Sequence, residues 1–449
     1  MEPKHIYFVG IGGIGMSALA RYFLSKGARV SGYDRTRTAL TAALEGEGAL
    51  VSYEDSLDVL DKAADWVVYT PAIPATSVIL RYYREGGYTL MKRSDVLQRI
   101  TEHSFNICIA GTHGKTTITT LTAHILRHSG YGCNAFLGGI SANYDTNFWS
   151  SERNVCVVEA DEYDRSFLKL DPDMAVITAM DPDHMDIYGT SAAMEEAFIA
   201  FAGKIKPGGW LLSKFGLERG ADLRASRHWT YSLASAGADV HAQGLRAADG
   251  AYTFDIALPA AVLKGIVLHM GGRHNVENTL AAAAVAHSLG ITPEAIRLAV
   301  ADFKGVRRRF EYVLKTPSVV LVDDYAHHPE ELRALITGAK DLFPGWSCTV
   351  VFQPHLFSRT RDLAPEFAAS LDLADEVILL DVYPARELPM PGVTSRLILD
   401  QMKNPRKRVM TKEALLDWAA QASGLVIMAG AGDIDALVQP MAQKLQQRA

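Results

Sequence analysis

Cysteine is scarce in this chain: four in 449 residues, at positions 108, 133, 156 and 348. None of them forms a C-x-x-C pair or a zinc-type spacing, which excludes a disulfide framework and a structural zinc. Cys108 and Cys156 lie in apolar, strand-like runs, so buried reduced thiols are expected. Long apolar runs are also missing; none approaches the ~18 residues that a membrane span needs. Neither sign of charge dominates, because 45 Lys and Arg against 51 Asp and Glu leave a net −6. Such a balance gives no general attraction to nucleic acid or to anionic membranes. The one basic knot, "KNPRKR" from Lys403 to Arg408, reads as a solvated loop. Internal repeats and low-complexity tracts are lacking, and "MEPKHIYFVG" leads almost directly into a strand without a signal-peptide layout. A cytoplasmic protein without a nucleic-acid or membrane partner is expected.

What is present is glycine in patterned places. "YFVGIGGIGMSALARYF" (7–23) joins a short apolar run to glycines 10, 12, 13 and 15 and then to a helical pattern. This is the dinucleotide-binding fingerprint: a strand, a tight turn, and a helix N-terminus aimed at a diphosphate. A second glycine loop, "AGTHGKTT" (110–117), sits between a strand at 105–110 and a helix starting near Lys115. The N–H groups of Gly111, Thr112, His113 and Gly114 can ring phosphates, the Lys115 ammonium can reach the β- and γ-phosphates, and Thr116, followed by Thr117, can ligate Mg²⁺. The loop is one residue shorter than the common G-x-x-x-x-G-K-[ST] form. It is read as a nucleoside-triphosphate site.

At about 150 residues per domain, the length allows roughly three domains. Strand-like runs alternate with helical segments almost throughout, which argues for an α/β protein with parallel sheets. In the first hundred residues strands are expected at 4–10, 28–34 and 66–70, and helices near 15–26 and 36–46. "TPAIPATS" (70–77) would lie at the carboxyl end of that sheet, where ligands bind. The resulting organisation is a Rossmann-like domain at 1–101, a central P-loop ATPase-like domain at 102–313, and a C-terminal Rossmann-like α/β domain at 314–449.

Acidic clusters end two strands of the central region. "VVEADEYDRSF" brings Glu159, Asp161, Glu162 and Asp164; "MDPDHMDIYG" brings Asp181, Asp183, His184 and Asp186. Hard oxygen ligands with one imidazole suit Mg²⁺ beside phosphate. In "GGRHNVENTLAAAA", His274 and Asn275 precede an alanine-rich helix, and Asn275 is either an adenine reader or a helix N-cap. "FKGVRRRFEY" offers Arg307, Arg308 and Arg309, one of which can stabilise charge on a transferring phosphoryl group. "DDYAHHPEEL" and "FQPHLFSRTRDL" supply Asp324, His327, His328, His355, Arg359 and Arg361, a polar rim suited to an amino acid or carboxylate. Tyr325 either packs on a ligand or sits in the core.

Taken in order, "FVGIGGIGMSALA", "GTHGKTT", "EADEYDRSF", "DPDHMDIYG", "GRHNVENTLAA", "GVRRRFE", "DDYAHHPEE" and "FQPHLFSRTRDL" resemble the Mur ligase family of peptidoglycan synthesis, its alanine-adding branch most of all. The match runs over essentially the whole chain. The resemblance implies an ATP- and Mg²⁺-dependent amide-bond ligase that joins L-alanine to the lactyl carboxylate of UDP-N-acetylmuramate through an acyl phosphate. It places Gly10, Gly12, Gly13, Gly15, Asp34 and Ser166 on the UDP-sugar, and Gly111 to Thr117, Asn275, Arg309 and Asp324 on ATP. Metal ligands are then Thr116, Glu159 and His184; Lys115, His184 and Arg309 are catalytic; and Tyr325, His327, His355 and Arg359 face the amino acid. A monomer or weak homodimer is expected. Three departures stand out: no lysine occurs between His184 and Lys204, where several Mur ligases carry a carbamylated one; Leu356 occupies a position where many alanine-adding relatives have arginine; and "TPAIP" replaces the common S-S-A-I. Alternatives are the family's tripeptide-recycling branch and, more remotely, an NAD-dependent oxidoreductase, which would leave the second glycine loop and both acidic clusters without a role.

Overall fold

The computed structural model describes residues 3–385 and 387–447. Among the described residues three sheets form, and the residues gather into two compact units. One comprises residues up to 242 with 256–263 and 277–300; the other comprises 243–255, 264–276 and 301 onward.

In the first unit, five parallel strands run in the order Leu50–Ser52, Arg29–Tyr33, His5–Val9, Trp66–Tyr69, Leu90–Lys92. The strand order reverses beside His5–Val9, and the carboxyl end there is the expected ligand crevice of a doubly wound sheet. Gly10 makes the turn out of that strand at φ +90°, a left-handed conformation that only glycine adopts without strain. Helix Ile14–Ser25 follows, with Gly13 as its N-cap and no capping side chain, so its first-turn N–H groups are left for a ligand.

A second sheet in this unit reads Arg227–Ser232, Trp210–Lys214, Met174–Ile177, Phe105–Ala110, Val155–Glu159, Asn134–Ser141, Thr146–Trp149. All neighbours are parallel except the last pair. Val240–Ala248, Ala251–Leu258 and Ala261–Leu268, divided between the two units, were not expected from the sequence. Helix Ile14–Ser25 packs on the hairpin Asn134–Ser141/Thr146–Trp149. Tyr22 meets Phe136 and Phe148 at ring-centroid distances of 5.7 and 6.0 Å. Buried Asn147 donates to Ile14 O at 2.6 Å and to Ser17 Oγ at 2.9 Å, and accepts from Arg21, itself paired with Glu47. One apolar core therefore serves both sheets of this unit.

The second unit is built on six strands in the order Glu311–Lys315, Val319–Asp324, Gly424–Ala429, Cys348–Phe352, Glu376–Leu379, Lys407–Val409, parallel but for the first pair. The basic knot expected as a solvated loop is one over 403–406, where Lys403 and Arg406 are exposed, and only its end is corrected. Lys407 to Val409 form the edge strand, the Lys407 ammonium bonds Leu399 O at 2.9 Å, and Arg408 pairs with Glu376. Carbonyl and carboxylate partners on the adjoining segments, invisible in a local charge count, capture these last two cations. All four cysteines are free and buried, and burial raises the Cys133 and Cys348 thiols to about 12, so they are inert. Among the described residues no helix is long and apolar enough to cross a membrane.

Candidate functional site

The phosphate loop follows strand Phe105–Ala110 and ends at helix Lys115–His128. Two of its glycines are obligatory. Gly111 has φ +125° and a Cβ there would lie 2.1 Å from Thr178 Oγ1; Gly114 has φ +77° and a Cβ would lie 2.6 Å from Asn278 Oδ1. Thr112 N–H donates to Ala179 O at 3.2 Å and the Thr178 hydroxyl donates to His113 O at 2.5 Å, which ties the loop to the neighbouring strand. His113 lies 3.5 Å from Asp181 at the surface, and Thr117 is buried in the first turn.

Lys115 Nζ donates to Gly111 O and to Glu162 Oε1, both at 2.7 Å. Glu162 is 0% exposed and Lys115 only 14%, and Glu162 Oε2 has no hydrogen-bond partner. Thr116 Oγ1 donates to Glu159 Oε1 at 3.1 Å, leaving buried Glu159 Oε2 without a partner as well. Burial pushes the Glu159 carboxyl above its usual value, against the attraction of Lys115 and the Thr116 hydroxyl. A cation between such oxygens would reverse that penalty. Gly138 makes room for this arrangement: a Cβ on it would lie 2.0 Å from Glu159 Oε2.

His184 stands at φ +50° as the N-cap of the short helix Met185–Tyr188, with Nε2 3.7 Å from Asp183 and the Tyr163 ring edge-on at 5.3 Å. Glu162, Asp183 and His184 offer ligand atoms that all lie within 4.8 Å of one another. Two orphaned carboxylate oxygens beside a phosphate loop, together with that trio, fit a hard divalent cation. Glu162 and Asp183 were legible as members of acidic clusters but not ranked within them. Gly138 carries no motif and was missed.

A cleft of about 480 Å³ opens beside this loop within the same unit. Gly13, Gly15, Thr70, Pro71, Arg93, Glu159, Asp161 and Ser166 are among its walls. Gly10 and Gly12 support the turn from behind: Gly12 N–H donates to Asp34 Oδ2 at 2.8 Å, and Asp34 Oδ1 accepts from Thr36 N–H at 3.2 Å. Asp34 thus holds the glycine turn. Ser166 Oγ donates to Asp161 O at 2.9 Å.

The remaining expected residues belong to the second unit. Asn275 lies inside helix Arg273–Ser288, where its Nδ2 donates to Gly271 O at 2.7 Å. The N-cap alternative is therefore corrected, because the helix begins at Arg273, before Asn275. Asp324 closes its strand, accepting from Phe310 N–H and Ala326 N–H, each at 2.7 Å. Burial raises its carboxyl to about 6, against those two donors. The guanidinium groups of Arg308 and Arg309 lie 5.1 and 5.8 Å from the Tyr325 ring centre. Tyr325 is 37% exposed, so it does not belong to the core.

From Tyr325 a chain of rings leads to His327 at 5.2 Å, His355 at 6.0 Å and Tyr383 at 5.8 Å, measured between centroids. Arg359 acts on both imidazoles, and its Nη1, like His355 Nδ1, is buried without a partner. Burial first, then the neighbouring cations, lowers both histidine pKa values. The unit thus presents neutral imidazoles and a fixed guanidinium, which suits a carboxylate-bearing ligand.

Comparison with known proteins covers the whole chain. Residues 5–105 match the family model described as Mur ligase family, catalytic domain; 109–286 the Mur ligase middle domain; and 308–432 the Mur ligase, glutamate ligase domain. The UDP-N-acetylmuramate–L-alanine ligase of Parabacteroides distasonis is 49% identical over 98% of this chain and 97% of the relative. That of Porphyromonas gingivalis strain W83 is 49% identical over 99% of both. Among solved structures, the UDP-N-acetylmuramate-alanine ligase of Thermotoga maritima superposes with a TM-score of 0.85 at 28% identity over 100% of both chains. A murein peptide ligase of Psychrobacter arcticus shares the fold, with a TM-score of 0.68 at 22% identity over 98% of both chains.

Proposed function

The chain belongs to the Mur ligase family, and we propose that it joins L-alanine to the lactyl carboxylate of UDP-N-acetylmuramate at the expense of ATP. Mur ligases are ATP-dependent. The observation that carries the reading is Lys115, held at 2.7 Å by both Gly111 O and buried Glu162 beside the partnerless oxygens of Glu159 and Glu162. This is the floor of a phosphoryl-transfer site.

In the proposed reaction a carboxylate oxygen of the sugar attacks the γ-phosphorus and ADP leaves. The alanine amine then attacks the acyl carbon, and inorganic phosphate departs as the amide forms. Lys115 and the loop N–H groups neutralise the transferring group, and Arg309 adds a second cation. Glu159 and Thr116, with His184 beside Glu162 and Asp183, would hold Mg²⁺, which supplies charge neutralisation between phosphate oxygens when bound. Asn275 and Asp324 are assigned to adenine and ribose. Gly13, Gly15 and Ser166 are assigned to the UDP-sugar with Gly10, Gly12 and Asp34 behind them, and Tyr325, His327, His355 and Arg359 to alanine.

Domain boundaries near 101/102 and 313/314 belong to the same proposal; the family matches themselves change over between 105 and 109 and between 286 and 308. So do a cytoplasmic location, a monomer or weak homodimer, and the absence of nucleic-acid and membrane partners. The test is phosphate release from ATP and Mg²⁺ with UDP-N-acetylmuramate, adding L-alanine, the murein tripeptide, or no amine. Release that requires both sugar and L-alanine, with a product heavier by one alanyl unit, is the expected result; dependence on the tripeptide would overturn the choice of amine.

A further inference from the structure

We propose that Arg93 binds the diphosphate of the nucleotide sugar in the cleft of the first unit. The inference rests on the reading that the glycine turn at 10–15 carries that diphosphate, and it names the side chain that meets it.

Arg93 begins the helix Arg93–Thr101 and lines the cleft together with Gly13 and Gly15. Its guanidinium lies directly across the first turn of helix Ile14–Ser25: a Cβ on Gly15 would come within 2.8 Å of Arg93 Nη1 and 2.9 Å of Cδ. Gly15 is therefore without a side chain for a second reason besides ligand approach, since the arginine occupies that space. A guanidinium and the uncapped N-terminus of a helix thus border the same cleft, where a dianion would gain from both.

Among the described residues, no hydrogen bond spends the donors of Arg93. It carries five N–H groups, and its recorded partner is Asp161, with Nη2 3.6 Å from Oδ2. That distance is an ion pair but beyond hydrogen-bond length. Asp161 instead accepts from Tyr163 N–H at 3.1 Å. The other cation on the cleft wall, Lys92, is committed to Asp164 at 3.0 Å. Lys169 is likewise taken by Asp95, with Ser94 Oγ at 3.1 Å. Three charge pairs thus join residues 92–95 to 161–169, and the middle one is loose on its cation side. Arg93 is 28% exposed, partly desolvated and restrained by Asp161, so little rotamer entropy remains to be lost when an anion arrives. A planar fork of donors matches adjacent phosphate oxygens two at a time, which a lysine ammonium cannot do.

Calorimetric titration of wild type, Arg93→Met and Arg93→Lys with uridine, UDP, UDP-N-acetylmuramate and ATP tests the proposal. The wild type is expected to prefer UDP to uridine. Arg93→Met should lose about tenfold of affinity for both UDP and UDP-N-acetylmuramate while uridine and ATP bind as before, and Arg93→Lys should fall between the two. Four results would overturn the assignment. An Arg93→Met protein that keeps the wild-type preference for UDP removes it. Loss confined to UDP-N-acetylmuramate would move Arg93 to the sugar's carboxylate. Equal loss for all four ligands would make it a structural brace. A wild type that does not distinguish UDP from uridine would instead refute the diphosphate reading of the glycine turn, and the proposal with it.

Discussion

Lys115 Nζ and Glu162 Oε1 are 2.7 Å apart, and the carboxylate of that pair is wholly buried. The lysine that the phosphate-loop motif assigns to nucleotide binding is therefore also the counter-ion of an interior acid. Replacing it should affect stability as well as turnover. Lys115→Met is expected to lower phosphate release by about 10²-fold or more and to destabilise the protein by about 3 kcal/mol, because it strands a buried charge. The double variant Lys115→Met/Glu162→Gln should regain most of the stability and none of the activity. Urea melts of the four members of that cycle measure it, and additive losses would sink the idea.

Gly138 faces Glu159 with no Cβ, and the carboxylate fills that space. Its φ is not in the left-handed region, so alanine is tolerated by the backbone and excluded by the side chain opposite. Gly138→Ala should push Glu159 away from Thr116 and raise the Mg²⁺ concentration for half-maximal activity by about tenfold, the size of effect seen when groups around metal ligands are disturbed. A magnesium titration at saturating substrates reads this directly. An unchanged midpoint would remove Glu159 from the cation site.

His327 and His355 stand next to Arg359, and their pKa values lie below the ordinary 6.5. Above that value both rings are neutral; as pH falls through it and below, each gains a positive charge beside a fixed one. An arriving alanine carries an ammonium group, so KM for L-alanine should rise on acidification while KM for ATP changes less. The same protonation costs folding stability, since the unfolded chain binds those protons more readily. His355→Gln should flatten the acid limb of the alanine profile; a limb of undiminished slope would point to another group.

Asp323 runs the opposite way. Burial lifts its carboxyl to about 7 despite Arg308 nearby, with its Oδ2 3.5 Å from Arg308 Nε. In the folded state it keeps its proton over a range in which the unfolded chain, near 3.8, has released it. Stability from this group is full below pH 3.8 and is lost as pH rises to about 7. Asp323→Asn should therefore gain on the wild type at alkaline pH, by a few degrees of melting temperature at pH 8 relative to pH 5. Parallel melting profiles would show that Arg308 compensates the charge fully.

Much of this protein follows from local pattern. β-branched runs punctuated by glycine loops specify parallel α/β sheets because each loop must pass a chain from strand to helix within a few residues. "GTHGKTT" locates a phosphate site because Gly111 and Gly114 require positive φ and the helix dipole does the rest. Local pattern could not rank the acids of "EADEYD": Glu159 and Glu162 differ from Asp161 only in what folds around them. The hairpin containing Gly138 decides where Glu159 points, and the pairing with Lys115 decides that Glu162 is charged-partnered and buried. Asp34 behaves likewise, since its motif position resembles a ribose ligand while its oxygens hold the backbone of Gly12 and Thr36. Arg93 has no motif, and acquires its place because helix Arg93–Thr101 starts over Gly15, 78 residues earlier in the chain. Chain chemistry settles which groups exist and which backbone turns are possible. Only the packing of distant segments settles desolvation and charge pairing, and on those depends which carboxylates and cations are left free to work.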